Sequence, residues 1–362
     1  MAMAAETALL TVDLDAIAAN WRMLRDRHGA DAAGVVKADG YGLGAVPVAR
    51  RLAREGCGHF FVAQLAEGIA VAAAVPRAMV AVLNGLLPGE ERAFAAHGIV
   101  PVLNDLGQVD AWAAEASRLG TRLPAILHID TGMNRLGLPP VAVDALAADP
   151  SRLAPLDLRY VMTHLVAAEV PDDPANARQR DAFAASRARL PPARASFANS
   201  SGVFLGAGYR TDLARPGAAL YGINPTPGLP NPMRPAVRLD GRVLQVRDVP
   251  AGETVGYNGT WTAARPSRIA TVAVGYADGY LRNLSNRCPA RCDGHPVPMA
   301  GRVSMDLTTF DVTDFPAIRT GAMLTLIGDG QTPDDLAAAA GTNGYEVLTS
   351  IGSRYARRYL GA

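Results

Sequence analysis

Apolar and polar positions along the first two-thirds of the chain repeat in a strand-then-helix rhythm. Residues 13–28 set Leu14, Ile17, Trp21 and Leu24 three or four apart behind Asp13, a competent N-cap, and predict an amphipathic helix. An apolar run then ends abruptly at Lys37, and a second helical pattern carrying Ala49, Leu52 and Ala53 closes at Gly56. Strand-like runs follow at residues 59–63, 79–83, 99–103, 124–128, 158–162 and 194–197, and more weakly around 211–213, with helical patterns between them. Counted from Val35, roughly eight strands alternate with helices, which predicts an α/β architecture built on a (β/α)8 TIM-like barrel. A doubly wound open sheet also alternates, but it usually holds fewer strands, and the Gly-rich first turn of a dinucleotide site is missing.

The texture changes near residue 225. Residues 224–232 are a run of Pro, Gly and Asn that suits a linker. Beyond it, short alternating segments at 242–246, 269–274 and 323–327 are punctuated by Gly and Pro and predict a second, mainly antiparallel β domain. Helical patterns return only at 333–340 and 345–348. The expected division is therefore a barrel over 10–227 and a C-terminal β domain over 228–362, with residues 1–9 as a candidate addition to the latter.

Composition narrows the partners more than the fold. A formal net charge of +1, with 19% charged residues, gives no electrostatic reason to expect nucleic acid or an anionic membrane. The first ten residues are too short and polar for a secretory leader, and no apolar run approaches the ~20 residues of a membrane helix, so a cytoplasmic location is expected. Cys57, Cys288 and Cys292 cannot make a disulfide framework, and the Cys288/Cys292 pair lacks the second pair of ligands that zinc requires; no metal is expected.

Barrel enzymes assemble their sites at the C-terminal ends of the strands. Here those ends carry Lys37 and Tyr41 after the first, His128, Asp130 and Arg135 after the fifth, Thr163 and His164 after the sixth, Asn199, Ser200 and Ser201 after the seventh, and Arg215 before Pro216-Gly217 after the last. Singly, each has an ordinary explanation: a surface lysine, a core histidine, a turn serine, a surface ion pair. Together they outline a pocket for a phosphate-bearing cofactor held covalently, because a lysine amine condenses with an aldehyde and hydroxyl or backbone N–H groups hold phosphate. In the second domain, Gly275-Tyr276-Ala277-Asp278-Gly279 and Gly301-Arg302-Val303-Ser304-Met305-Asp306 each end a strand. A tyrosine serving as a base near neutrality needs a cationic or hydrogen-bonding neighbour such as His164.

The chain resembles the alanine racemases, fold-type III pyridoxal-phosphate enzymes. Val35-Val36-Lys37-Ala38-Asp39-Gly40-Tyr41-Gly42 matches their cofactor-lysine motif, Asp130-Thr131-Gly132-Met133-Asn134-Arg135-Leu136-Gly137 their substrate-arginine motif, and Arg215-Pro216-Gly217-Ala218-Ala219-Leu220-Tyr221-Gly222 their ring-nitrogen motif. The two segments of the second domain match the family's C-terminal motifs. The resemblance implies pyridoxal 5′-phosphate on Lys37, with Lys37 and Tyr276 as the two catalytic bases on opposite faces of the substrate Cα. Tyr276 would come from the second subunit of a homodimer. It also implies Arg215 at the ring nitrogen and His164 stacked on the ring. Tyr41, Ser200 and the amides of Gly217 and Ala218 would hold phosphate with Asn199 beside them, and Arg135 and the Met305 amide the carboxylate of alanine. The commonest family role is supplying D-alanine for peptidoglycan; a catabolic role is equally compatible.

Two positions depart from the family. Many relatives carry a carbamylated lysine where this sequence has His128, so Arg135 must be held by another group, a bound chloride or a neutral imidazole. Ser353 stands where some relatives supply a phosphate-binding tyrosine, which leaves substrate breadth open. Two other readings share the barrel and the lysine: a pyridoxal-phosphate carrier, which has no catalytic second domain, and a fold-type III decarboxylase, whose C-terminal cysteine and acidic motifs have no convincing counterpart here.

Overall fold

The computed structural model describes residues 6–362, which fall into two compact units. One comprises Ile17–Gly40 and Gly44–Arg234; the other comprises the described residues through Ala16, Tyr41–Leu43 and Pro235–Ala362.

The first unit is built on a parallel sheet. Its order runs Asp31–Ala32, Leu213–Ala214, Arg194–Ser196, Leu156–Met162, Leu123–His128, Val100–Leu103, Met79–Val82, His59–Val62 and Gly34–Val35. The two ends of that path are consecutive in the chain, separated only by Ala33, whose N–H donates to Ala214 O at 2.8 Å. Val35 N–H donates to Pro216 O at 3.2 Å. The nine ladder segments therefore close into an eight-position barrel whose first strand is shared between its neighbours, as the alternation predicts. The strands are short and apolar because helices cover one face and barrel-filling side chains the other; Phe60, Phe61 and Val62 are all fully buried. Helix Leu14–His28 starts where Asp13 Oδ1 accepts the Ala16 N–H at 2.8 Å, and Trp21 anchors it to the barrel through Nε1–H to Ala32 O at 2.9 Å. The weakly patterned last strand is only Leu213–Ala214, and it pairs with Asp31–Ala32 on one side and Ser196 on the other.

In the second unit the 13-residue strand Val237–Val249 is the spine. It pairs antiparallel with Ala8–Asp13, Ser267–Val272 and Met323–Ile327, and Ala8–Asp13 in turn pairs parallel with Ala356–Leu360. The sheet is thus antiparallel apart from that one pair. Residues 6–9 of the expected N-terminal addition lie in this unit, and Ala8 and Leu9 join its sheet; residues 1–5 lie outside the described residues. Helix Pro333–Ala340 opens on a Thr332/Asp335 capping box, and Gly344–Thr349 follows. Among the described residues, no helix is long and apolar enough to cross a membrane.

Candidate active site

Lys37 follows the strand Gly34–Val35, where the chain makes a left-handed turn with φ of 53° at Ala38, 50° at Asp39, 63° at Gly40 and 55° at Tyr41. Three of those four residues carry side chains, at roughly 1 kcal/mol or more apiece, so the turn needs support. Gly40 N–H donates to Val36 O at 2.9 Å, Gly44 N–H to Asp39 O at 2.7 Å, and Ala45 N–H to Asp39 Oδ1 at 2.9 Å. Glu67, which also accepts the Ala63 N–H at 2.8 Å, reaches Asp39 N–H at 3.3 Å. The Lys37 amine is held below its ordinary pKa, first by burial and then by Arg135, with Glu67 opposing. Lys37 is the only lysine in the sequence.

Opposite charge is scarce around it. At the end of Leu123–His128, Asp130 turns its carboxylate inward on its own loop, with Oδ1 accepting N–H groups of Gly132 and Met133 at 2.9 Å and of Asn134 at 3.2 Å. Gly137, at φ 107°, closes the loop: a Cβ there would lie 2.8 Å from Asp130 N. Arg135 stands exposed on this loop. His128 is buried, with Nδ1 2.7 Å from Asn104 Oδ1, and burial followed by the Arg215 charge pushes its pKa down to about 4.

His164 is lowered to about 3 by burial and then by Arg215, Arg135 and Lys37, so it is a neutral ring. Gln179 Nε2 ties the two strand ends, donating to His164 O at 2.9 Å and Thr131 Oγ1 at 3.1 Å. Arg215 is buried, donating from Nη1 to Ser196 Oγ and from Nη2 to Thr163 O, both at 2.5 Å. Burial lowers it to about 10, which leaves it cationic at neutral pH. Ser200 Oγ accepts the N–H groups of Gly217 at 3.0 Å and Ala219 at 3.2 Å, at the start of the short 3-10 turn Ala218–Tyr221. Asn199 caps its own loop through Oδ1 to Gly202 N–H at 2.9 Å. Lys37, Arg135, His164, Asn199, Ser200, Arg215, Gly217 and Ala218 therefore all belong to the barrel unit, at or just beyond the C-terminal ends of its strands.

Tyr41, Tyr276 and Met305 belong to the other unit. The Tyr41 phenol is pushed up, by burial and then by Tyr345. Tyr276 and Met305 are neighbours: Tyr276 N–H donates to Ser304 O and Ala277 N–H to Met305 O, each at 2.9 Å. The two residues are 42% and 54% exposed. An unanticipated clamp fixes both loops. Arg354 Nε lies 3.0 Å from the buried Asp278 carboxylate and its Nη1 2.7 Å from Asp306, while Asp278 Oδ2 accepts the Gly275 N–H at 2.9 Å. Ser353, beside Arg354, is exposed.

The sequence profile described as "Alanine racemase, N-terminal domain" matches residues 12–225, and "Alanine racemase, C-terminal domain" matches 236–359. The chain belongs to the alanine racemase family. That family is one of pyridoxal-phosphate-dependent amino acid racemases. An alanine racemase of Acidiphilium cryptum is 57% identical over 348 residues, covering 96% of this chain and 97% of that protein. A protein of Mesorhizobium japonicum named "Alanine racemase, catabolic" is 50% identical over 362 residues, covering 99% and 94%. The crystal structure of the Bartonella henselae alanine racemase, with covalently bound pyridoxal phosphate, superposes with a TM-score of 0.94 at 38% identity over 98% of this chain and 99% of that one.

Proposed function

We propose that this protein interconverts L- and D-alanine with pyridoxal 5′-phosphate carried on Lys37, by a two-base mechanism. The observation that carries the reading is the barrel's upper rim. A sole lysine of lowered proton affinity shares it with Arg135, Arg215 and two neutral histidines, and the acids Asp39, Asp130 and Glu67 are each engaged with backbone N–H groups. Such a site suits a doubly charged phosphate and an amino acid carboxylate.

Lys37 would hold the cofactor covalently, Ser200, Tyr41 and the amides of Gly217 and Ala218 its phosphate, with Asn199 beside them, and His164 its ring. When bound, the cofactor draws electrons from the substrate Cα and acidifies its hydrogen. Arg215 would face the ring nitrogen as a donor that does not surrender its proton. Arg135 and the Met305 amide orient the substrate carboxylate. In the D-to-L direction the Lys37 amine takes the α-proton and the Tyr276 hydroxyl returns one to the opposite face; in the L-to-D direction the roles reverse. Tyr276 is contributed by the second copy in a homodimer with shared sites, a reading supported by the exposure of Tyr276 and Met305. The protein acts in the cytoplasm and supplies D-alanine for peptidoglycan.

With a single lysine the covalent assignment is directly testable. Borohydride treatment of the purified holoenzyme should leave one pyridoxyl group on the Lys37 peptide and none in Lys37→Ala. Cofactor retained by the wild type with an unmodified Lys37 peptide would refute it.

A further inference from the structure

At the end of Leu123–His128 stands a buried histidine to which the mechanism above gives no role. His128 is 8% exposed, and its Nδ1 lies 2.7 Å from Asn104 Oδ1. The Asn104 amide cannot turn round, because its Nδ2 donates to Leu83 O at 3.1 Å and Val102 O at 2.9 Å, and a carbonyl only accepts. Oδ1 therefore faces the ring, and Nδ1 must carry the proton. In the neutral imidazole Nε2 is then a bare acceptor, and no hydrogen bond among the described residues uses it.

The charges facing this ring are Arg215, Arg135 and Asp130, with the neutral His164 also near, and the Asp130 carboxylate is occupied by its own loop. The ring is thus an uncharged acceptor among cations. The loop that carries Arg135 folds back over it: a Cβ at Gly137 would lie 3.2 Å from His128 Cδ2, the carbon bonded to Nε2. Arg135 itself has no hydrogen bond or ion pair among the described residues. A guanidinium with five N–H donors and no partner stands two residues from the edge of a ring with a lone pair and no donor.

We propose that His128 Nε2 accepts a hydrogen bond from the Arg135 guanidinium and so aims its remaining N–H groups at the substrate carboxylate, with Asn104 fixing the tautomer that makes this possible. His128 is then a positioning residue and Asn104 the group that sets its polarity. The inference deepens the reading of Arg135 as the carboxylate binder and rests on it; the tautomer does not.

The test begins on intact holoenzyme labelled with 15N-histidine, the His128 signals being assigned with His128→Phe. From about pH 6 to 8 the ring should show a protonated Nδ1 and a bare Nε2, whose shift moves when alanine is added. His128→Phe removes the acceptor and should raise KM for alanine roughly 10- to 100-fold with a smaller change in kcat. Asn104→Asp keeps the shape but puts a carboxylate on Nδ1–H, favouring an imidazolium with no acceptor. Its KM should be near normal at alkaline pH and rise as pH falls, whereas the wild-type KM stays flat. A merely structural histidine would give lowered stability in both variants with a pH-independent KM in Asn104→Asp. That result, or an Nε2–H tautomer or imidazolium in the wild type at neutral pH, overturns the proposal. Failure of the wild type to racemise alanine would instead sink the functional reading, and the ring-nitrogen pattern would still decide whether His128 presents an acceptor.

Discussion

Gly275 offers the sharpest steric test of how the Tyr276 loop is held. Its φ of −146° and ψ of −168° are extended values open to any residue, so backbone freedom does not require glycine here. Space does. A Cβ at 275 would lie 2.3 Å from Met305 O, 2.4 Å from Ser304 O and 2.5 Å from Met305 C, against an ordinary contact of 3.4 Å or more. Gly275→Ala must therefore push the backbone of Ser304 and Met305 back by about 1 Å, and the carbonyls of those two residues receive the N–H groups of Tyr276 and Ala277, each at 2.9 Å. Two weakened hydrogen bonds at ~1 kcal/mol each and an overpacking cost of ~1–3 kcal/mol give about 3–5 kcal/mol. For a protein of this size that corresponds to a fall in Tm of roughly 4–7 °C. A 1 Å shift of Tyr276 and the Met305 amide should also cost roughly 100-fold in kcat/KM. Differential scanning calorimetry and racemisation kinetics read both effects, with Gly58→Ala as control, since a Cβ there meets nothing within 4 Å. A Gly275→Ala enzyme with wild-type Tm and turnover within about threefold would refute the argument.

Further outcomes follow from the same geometry. Tyr276→Phe should selectively impair proton removal from L-alanine, seen as loss of Cα–H exchange from the L but not the D enantiomer; equal rates in both would contradict the two-base assignment. Asp130→Ala frees three loop N–H groups and should raise KM for alanine by roughly tenfold or more, at a cost of about 2 kcal/mol on that loop. His128 and His164, lowered to about 4 and about 3, stay neutral in the fold while the unfolded chain protonates them below its ordinary value near 6.5. The unfolded state then binds more protons, so stability falls as pH drops from ~6.5 toward ~4, by on the order of 3 kcal/mol for His128 alone. Urea midpoints should decline over that window, less steeply in His128→Phe, and a flat profile would rule the burial effect out.

The barrel was legible because each strand is an apolar run, and the strand ends were legible because polar residues follow those runs directly. The split first strand was not, since Asp31–Ala32 and Gly34–Val35 read as one segment and only the closing neighbours divide them. The left-handed turn after Lys37 could be suspected from Gly40 and Gly42, but Ala38, Asp39 and Tyr41 adopt it against their own preference under the hold of Asp39 and Glu67. Glu67 reads locally as a helix cap, and its reach to the lysine turn is a tertiary fact. Asn104 and His128 are 24 residues apart at the ends of neighbouring strands, and the Arg354 clamp joins segments 48 residues or more apart, so no local pattern announces either. The resemblance to the racemases named His128 as the odd position; only its hydrogen-bond partner shows which nitrogen is left to accept.

The central claim is tested most directly by incubating the holoenzyme with L-alanine in deuterium oxide and following the Cα position by NMR alongside D-alanine by chiral chromatography. Deuterium should enter Cα as D-alanine accumulates, until the two enantiomers are present in equal amounts. Protein that carries the cofactor on Lys37 yet gives neither exchange nor D-alanine would contradict it.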